Sequence, residues 1–295
     1  MPRISVIIIA FNRRKYLLQA IKSAVNQTLD RSHYEIIVAK NFNDEEIDDF
    51  IEKNNVKSIY YDRVNPKSGY IDQGAFYSLA IEQASGDVLC FLDDDDYFVQ
   101  EKLEKVYRVF DRNEKVVYYH NRQIFIDDNG NRIKKRRKGP DYNSSSISVR
   151  KEIIDPAKLI KVEFSADTFL YLSALEYGGK ILLGKDLLTV VRIHLSRSNP
   201  KSQESFLSWV YMIREQYYRF LEMFDSEEAK RHVKSLIFTF SIILFPENTN
   251  QKPKYYWEFL LSKKSDKIGL TLKFILVYLF GKRAKNIVAR RYLND

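Results

Sequence analysis

The chain has 295 residues, 45% apolar, 14% aromatic and 29% charged, with a formal net charge of +9. That length and apolar fraction are enough to bury a core and exclude a disordered chain, and ten glycines and seven prolines exclude collagen-like or low-complexity architecture. One cysteine excludes an intramolecular disulfide framework and any Cys-rich zinc or iron–sulfur site, so the expected compartment is reducing.

Residues 4–10 (ISVIIIA) form a continuous apolar, β-branched run, the pattern of a parallel strand buried on both faces. The run is too short to cross a bilayer, and no basic n-region or cleavage site marks a signal peptide. Leu17, Leu18, Ala20, Ile21, Ala24 and Val25 recur at helical spacing and predict a helix over 16–25. A strand over 34–39 then precedes an acidic helix over 45–53, a strand over 58–61 precedes a helix over 72–83, and residues 88–92 (VLCFL) form a fourth strand. This alternation predicts an α/β domain with a mostly parallel sheet and right-handed crossovers.

After residue 113 the rhythm changes. Strands over 116–126 and 145–150 flank a turn-like DDNGN segment at 127–131 and a basic loop at 132–138. A helix over 166–176 and strands over 180–183 and 187–193 follow. From residue 202 only helical patterns appear, over 206–224, 227–245, 254–261 and 267–292. A boundary is expected near 195–202, where Ser196, Ser198, Asn199 and Pro200 supply turn chemistry. The expected organisation is a catalytic domain over 1–198, split into halves 1–113 and 114–198, and a helical region with a basic tail over 199–295.

The charge is local. Residues 262–295 carry nine Lys/Arg against two Asp/Glu, or +7, which leaves +2 on the first 261 residues. A nearly neutral body with no recognition-helix or aromatic ribonucleoprotein signature argues against a nucleic-acid partner.

The strongest chemical signal is the run Asp93, Asp94, Asp95, Asp96 directly after the fourth strand. Open α/β sheets bind ligands beyond the carboxyl ends of their strands. Four crowded carboxylates repel one another, and a hard divalent cation relieves that repulsion while leaving positions for phosphate oxygens.

Four segments in order now resemble the inverting nucleotide-sugar glycosyltransferases of the GT-A fold, in their large second family. Residues 5–13 (SVIIIAFNR) look like its opening strand and nucleotide loop, and residues 20–28 (AIKSAVNQT) resemble the helix that follows. Residues 84–87 (ASGD) with 91–96 (FLDDDD) resemble the segment ending in the Asp-x-Asp motif. Residues 191–194 (VRIH) are similar to the Tyr-Arg-x-His segment that closes the catalytic domain. Over about residues 1–195 the resemblance implies a GT-A (Rossmann-like) mixed, mostly parallel sheet flanked by helices, to which the helical patterns from residue 202 add a C-terminal all-helical region.

It also implies roles. Asp93 and Asp95 would hold Mg²⁺ or Mn²⁺ against the donor diphosphate, with His194 as a further ligand. Ala10, Phe11, Asn12 and Arg13 would form the nucleotide loop, joined by Lys40, Asn41, Asp93 and Asp94; Asp94 and Asp96 otherwise read as supporting or solvated carboxylates. Lys40 and Asn41 stand where the family usually has a pair beginning with Asp, so a cation replaces an acceptor. Arg192 would bind phosphate oxygens bidentately. Asp167, at the start of a later helix, would be the base that deprotonates the acceptor hydroxyl. Cys90, inside the apolar run, reads as a core residue.

The implied activity is an inverting, metal-dependent transfer of a sugar from a nucleoside diphosphate to a glycan or lipid-linked acceptor. A polyprenyl-phosphate sugar synthase and a catalytically inactive nucleotide-sugar-binding protein are the alternatives. Residues 268–280 carry one charge and are too short to span a membrane, while basic residues flank them over 263–291. Either peripheral contact with anionic lipid at the inner face of the cytoplasmic membrane or packing on the domain accounts for that pattern.

Overall fold

The computed structural model describes residues 3–62, 72–133, 143–193 and 202–244. In chain order the strands are β1 (Ile4–Ala10), β2 (Tyr34–Lys40), β3 (Lys57–Tyr60), β4 (Val88–Asp93), β5 (Tyr97–Phe98), β6 (Val116–Ile126), β7 (Arg132–Ile133), β8 (Ile147–Arg150) and β9 (Lys180–Arg192). The helices are α1 (Arg14–Val25), α2 (Glu45–Lys53), α3 (Gln73–Glu82), α4 (Lys102–Arg112), α5 (Pro156–Leu159), α6 (Ala166–Tyr177), α7 (Gln203–Met223) and α8 (Glu227–Ile243). They fall into two compact units, one carrying all the described strands and the other carrying α7 and α8.

The strands make one sheet in the order β3-β2-β1-β4-β8-β6-β9-β5, with β7 paired to β6. β1 lies parallel to β2 on one side and to β4 on the other, with Ala10 opposite Lys40 and Ile9 opposite Asp93. Ile4, Val6, Ile8 and Ala10 share a buried core with Leu17, Ala20, Ile21 and Ala24 of α1. Strand alternation sends Ser5, Ile7 and Ile9 to the other face. Full burial on both faces is what a continuous apolar strand requires, and each isoleucine so buried contributes about 2 kcal/mol.

The second half mixes directions. β8 runs antiparallel to both β4 and β6, whereas β9 runs parallel to β6. Two expectations change here. The strand expected over 145–150 opens as a 3-10 turn at Ser144–Ser146, and only Ile147–Arg150 pairs. The two strands expected over 180–193 are one, because β9 stays paired to β6 through register shifts that absorb Gly184, Lys185 and Asp186. At Gly184 a side chain would lie 2.6 Å from the Tyr119 ring, so the close passage of the two strands requires glycine.

On the face opposite α1, Glu35 of β2 is buried and accepts from the Ser5 hydroxyl at 2.7 Å, from Ser85 N–H at 2.6 Å and from the Ser85 hydroxyl at 2.7 Å. Lys57 Nζ pairs with it at 2.7 Å. Burial alone would raise its pKa, but Lys57, Ser5 and Ser85 outweigh burial and lower it from 4.5 to about 2. A folded value below the unfolded one means the stabilisation is complete above pH 4.5 and is lost as pH falls towards 2. Roughly 3 kcal/mol of stability is expected to disappear across that window. Urea midpoints at pH 7 and pH 3 for the parent and Glu35→Gln check this, the difference between the two pH values being smaller in the variant.

In the second unit Ser202 caps α7 by accepting from Ser205 N–H at 3.1 Å, and α7 and α8 pack together, with the Tyr217 and Phe240 rings edge to face at 5.3 Å. No described helix is long and apolar enough to cross a membrane. The helices expected over 254–261 and 267–292, the basic tail, the basic loop from residue 134 to 138 and nearly all of the expected 195–202 boundary lie outside the described residues.

Candidate active site

Parallel pairing sets the carboxyl ends of β1, β2 and β4 side by side. The chain proceeds from β1 to β2 and β3, then returns to place β4 on the other side of β1, which makes the β1–β4 gap the point where strand order reverses. The loops leaving these ends carry the sequence-predicted residues.

Ala10 is buried at the end of β1. Asn12 takes a left-handed backbone (φ 57°), and its N–H donates to Asn41 Oδ1 at 2.9 Å while Asn41 Nδ2 donates to Asn12 Oδ1 at 2.9 Å. The two asparagines thus tie the β1 and β2 loops together. Phe11 N–H donates to Asp94 at 3.3 Å. Arg13 forks its guanidinium over the acid run, with Nη2 2.9 Å from Asp94 and Nη1 on Asp95. Lys40 turns away from this edge: its ammonium is buried, pairs with Asp48 of α2 at 2.8 Å and donates to the Phe42 carbonyl at 2.7 Å. Asn41, not Lys40, presents polar atoms to the β1 loop.

The acid run is folded inward. Asp94 and Asp96 are 1% and 3% exposed, so neither is the solvated group that a surface run of aspartates suggests. Asp96 accepts from the Ser145 hydroxyl at 2.6 Å, from Asn143 Nδ2 at 3.2 Å and from Arg192 N–H at 3.0 Å. Asp93 receives the Ser144 hydroxyl at 2.6 Å and the Tyr77 hydroxyl at 3.3 Å, while its own N–H donates to Ser145 Oγ at 3.0 Å. Carboxylate oxygens of Asp93, Asp95 and Asp96 lie within 4.8 Å of one another. Burial, then the charge of Asp95, raises the pKa of Asp93 and pushes that of Asp96 well up; burial does the same to Asp94 against the pull of Arg13. Three all-oxygen donors so close fit a hard divalent cation, whose charge offsets both the burial and the mutual repulsion.

Arg192 is 9% exposed and works as a clasp. Nη2 donates to Gln19 at 2.8 Å, Nη1 and Nε reach the carbonyls of Asp127 and Asp95 at 3.4 Å, and the guanidinium lies 4.3 Å from the centre of the Tyr16 ring. Its fork therefore faces protein groups on α1, the turn after β6 and the acid run. His194 lies outside the described residues.

Asp167 is the second residue of α6, half-buried, and accepts from Thr168 N–H at 2.7 Å. Ser165, left-handed at φ 59°, aims the helix start, and Gln73 Oε1 of α3 accepts from Ala166 N–H at 3.2 Å. The Asp167 and Asp93 charges both act on the buried Tyr77 hydroxyl, and burial together with them raises its pKa well above the ordinary value. The structure thus brings Asp167 into the surroundings of the acid run. Sequence reasoning missed Tyr77, Gln73 and the Asn143–Ser146 polar segment. The run of three serines before a strand was a visible signal for the last of these.

Comparison with known proteins agrees with this fold. The family model described as Glycosyl transferase family 2 matches residues 5–171. An uncharacterized glycosyltransferase of Haemophilus influenzae is 31% identical over 137 residues, 45% of this chain, and the chain spans about half of that relative's length (52%). The fold is shared with the crystal structure of S. aureus TarS 1-349 in complex with UDP-GlcNAc, at a TM-score of 0.59 and 16% identity over 99% of this chain and 90% of that one. It is shared too with the mannosyltransferase PcManGT from Pyrobaculum calidifontis in complex with GDP-Man and Mn²⁺, at a TM-score of 0.58 and 10% identity over 99% and 85%. A GT-A sheet, with an acid run at the β1–β4 reversal point and a family match over more than half its length, means that this chain belongs to glycosyl transferase family 2.

Proposed function

We propose that the chain is an inverting, metal-dependent glycosyltransferase that moves a sugar from a nucleoside diphosphate to the hydroxyl of a glycan or lipid-linked acceptor. The observation that carries this reading is the approach of Asp93, Asp95 and Asp96 to within 4.8 Å at the strand-order reversal. The complexes of TarS with UDP-GlcNAc and of the P. calidifontis mannosyltransferase with GDP-Man and Mn²⁺ support the donor class and the ion.

Asp93, Asp95 and Asp96 would hold Mg²⁺ or Mn²⁺, which when bound supplies Lewis acidity to the departing diphosphate. Ser144 and Ser145 fix the carboxylates of Asp93 and Asp96, so the cluster is set before any ligand arrives. The paired Asn12 and Asn41 side chains frame the nucleotide side of the gap. Asp167 accepts the proton of the acceptor hydroxyl as that oxygen attacks the anomeric carbon. The new C–O bond forms on the face opposite the breaking one, whose electron pair leaves on the diphosphate, and the configuration inverts. The basic segment over 263–291 is the part suited to contact anionic lipid at the cytoplasmic face.

The test is thermal unfolding with UDP, GDP and dTDP, each with and without Mn²⁺. At a hundred times Kd, a ligand of the folded state adds about 2.7 kcal/mol, which raises Tm by roughly 5–10 °C. One nucleotide is expected to give a shift that needs the ion and that Asp95→Asn removes. Absence of any ion-dependent shift with all three overturns the reading.

A further inference from the structure

We infer that Arg13 is a built-in counter-cation of the acid run: it pairs with Asp95, so a divalent ion enters by displacing it and the donor diphosphate gives it a new partner. This rests on the proposed nucleotide-sugar site and adds a coupling that the site itself does not require.

The geometry separates two aspartates that the sequence runs together. Asp94 is held by Phe11 N–H at 3.3 Å as well as by Arg13 at 2.9 Å, and it stands outside the three-carboxylate group. Asp95 belongs to that group and is also paired with Arg13 Nη1. It is therefore the contested carboxylate. A guanidinium and a divalent ion on one carboxylate repel each other, and in a largely buried cluster that repulsion is poorly screened.

Arg13 is also built to move. Its side chain is 44% exposed, against 1% for Asp94 and 13% for Asp95, so it covers the cluster from the solvent side. It stands at the N-cap of α1 yet makes no side-chain capping hydrogen bond, so swinging the guanidinium outward does not unravel the helix. Arg13 follows β1 at the β1–β4 gap, where a diphosphate would offer bidentate phosphate oxygens. Arg192, by contrast, is buried and hydrogen-bonded to Gln19 and to the Asp95 and Asp127 carbonyls.

The consequence is a thermodynamic cycle. An ion arriving alone must break the Arg13–Asp95 pair; an ion arriving with a diphosphate exchanges that pair for another. Nucleotide should therefore tighten ion binding by more than direct ion–phosphate contact supplies, and removing the guanidinium should erase the excess.

Mn²⁺ titrations followed by the electron paramagnetic resonance of the free ion, with and without saturating UDP or GDP, test this on the parent, Arg13→Gln and Arg13→Lys. Arg13→Gln is expected to bind Mn²⁺ alone about tenfold tighter than the parent and to show a nucleotide enhancement about tenfold smaller, with Arg13→Lys nearer the parent. Arg13→Ala, with thermal unfolding of every variant, guards against a folding artefact. If the parent binds Mn²⁺ with nucleotide and Arg13→Gln binds the ion alone no tighter, the counter-cation is overturned and the site stands. If the parent binds Mn²⁺ with neither nucleotide, both readings fall together.

Discussion

Asp167→Asn is expected to lower turnover by about 10² to 10⁴ while leaving ion-dependent nucleotide binding intact. The substitution isolates the proposed proton-accepting role, because asparagine keeps the shape and its Oδ1 still accepts from Thr168 N–H, a contact that Asp167 makes at 2.7 Å. What it removes is a negative oxygen able to take a proton from the acceptor. A carboxylate in the first turn of a helix is ordinarily explained by the helix dipole alone. Two features set Asp167 apart: its helix start is held by Gln73 of α3, and its charge acts on the same buried Tyr77 hydroxyl that donates to Asp93. Initial rates at saturating donor, paired with the nucleotide Tm shift, separate catalysis from binding. Full turnover in the variant would remove Asp167 as the base and leave the metal cluster untouched.

The elements legible in the sequence are those whose pattern has one physical solution. β1, β2 and β4 are short, apolar and buried on both faces, and the parallel order that follows fixes where Ala10, Lys40 and Asp93 must end. The position of the acid run was therefore readable. Its internal geometry was not. Asp96 turns inward because Ser145 and the Arg192 backbone donate to it from a 3-10 turn and a strand far along the chain, and pairings across 49 and 96 residues leave no local trace. Nor was it readable that Lys40 pairs with Asp48 or that Arg192 donates to Gln19.

α4 was overlooked although Leu103, Val106 and Phe110 line its buried side at helical spacing. Its first residue, Lys102, would be placed in solvent by any compositional rule. It is instead fully buried over the Phe98 ring and donates to Asn121, whose Nδ2 reaches Thr189 Oγ1 at 3.0 Å, which in turn donates to the Ser145 carbonyl at 3.0 Å. Burial lowers its pKa to about 8. That chain of polar contacts exists only once four separate elements have met.

Gly74→Ala is expected to cost roughly 2–3 kcal/mol, lowering Tm by about 5–10 °C, and to reduce turnover by about 10² in the molecules that remain folded. A Cβ at Gly74 would stand 1.8 Å from the Leu159 carbonyl oxygen and 2.9 Å from Val162 Cβ, and the first of these is backbone that no rotamer change can clear. The clash falls where α3 is bonded to the segment leading into α6, through Gly74 N–H to the Val162 carbonyl at 2.8 Å and Gln73 N–H to the Glu163 carbonyl at 3.3 Å. Pushing α3 outward loosens the Gln73 contact to Ala166 and moves Tyr77 on the same helix, so both supports of Asp167 shift at once. Gly178→Ala separates this from glycine loss in general: at φ 80° with nothing within 4 Å, it should cost about 1 kcal/mol in backbone strain and leave turnover unchanged. Thermal unfolding and initial rates on both variants decide the matter. A folded Gly74→Ala protein with parental turnover would show that the contact between α3 and the segment before α6 does not set the geometry of Asp167.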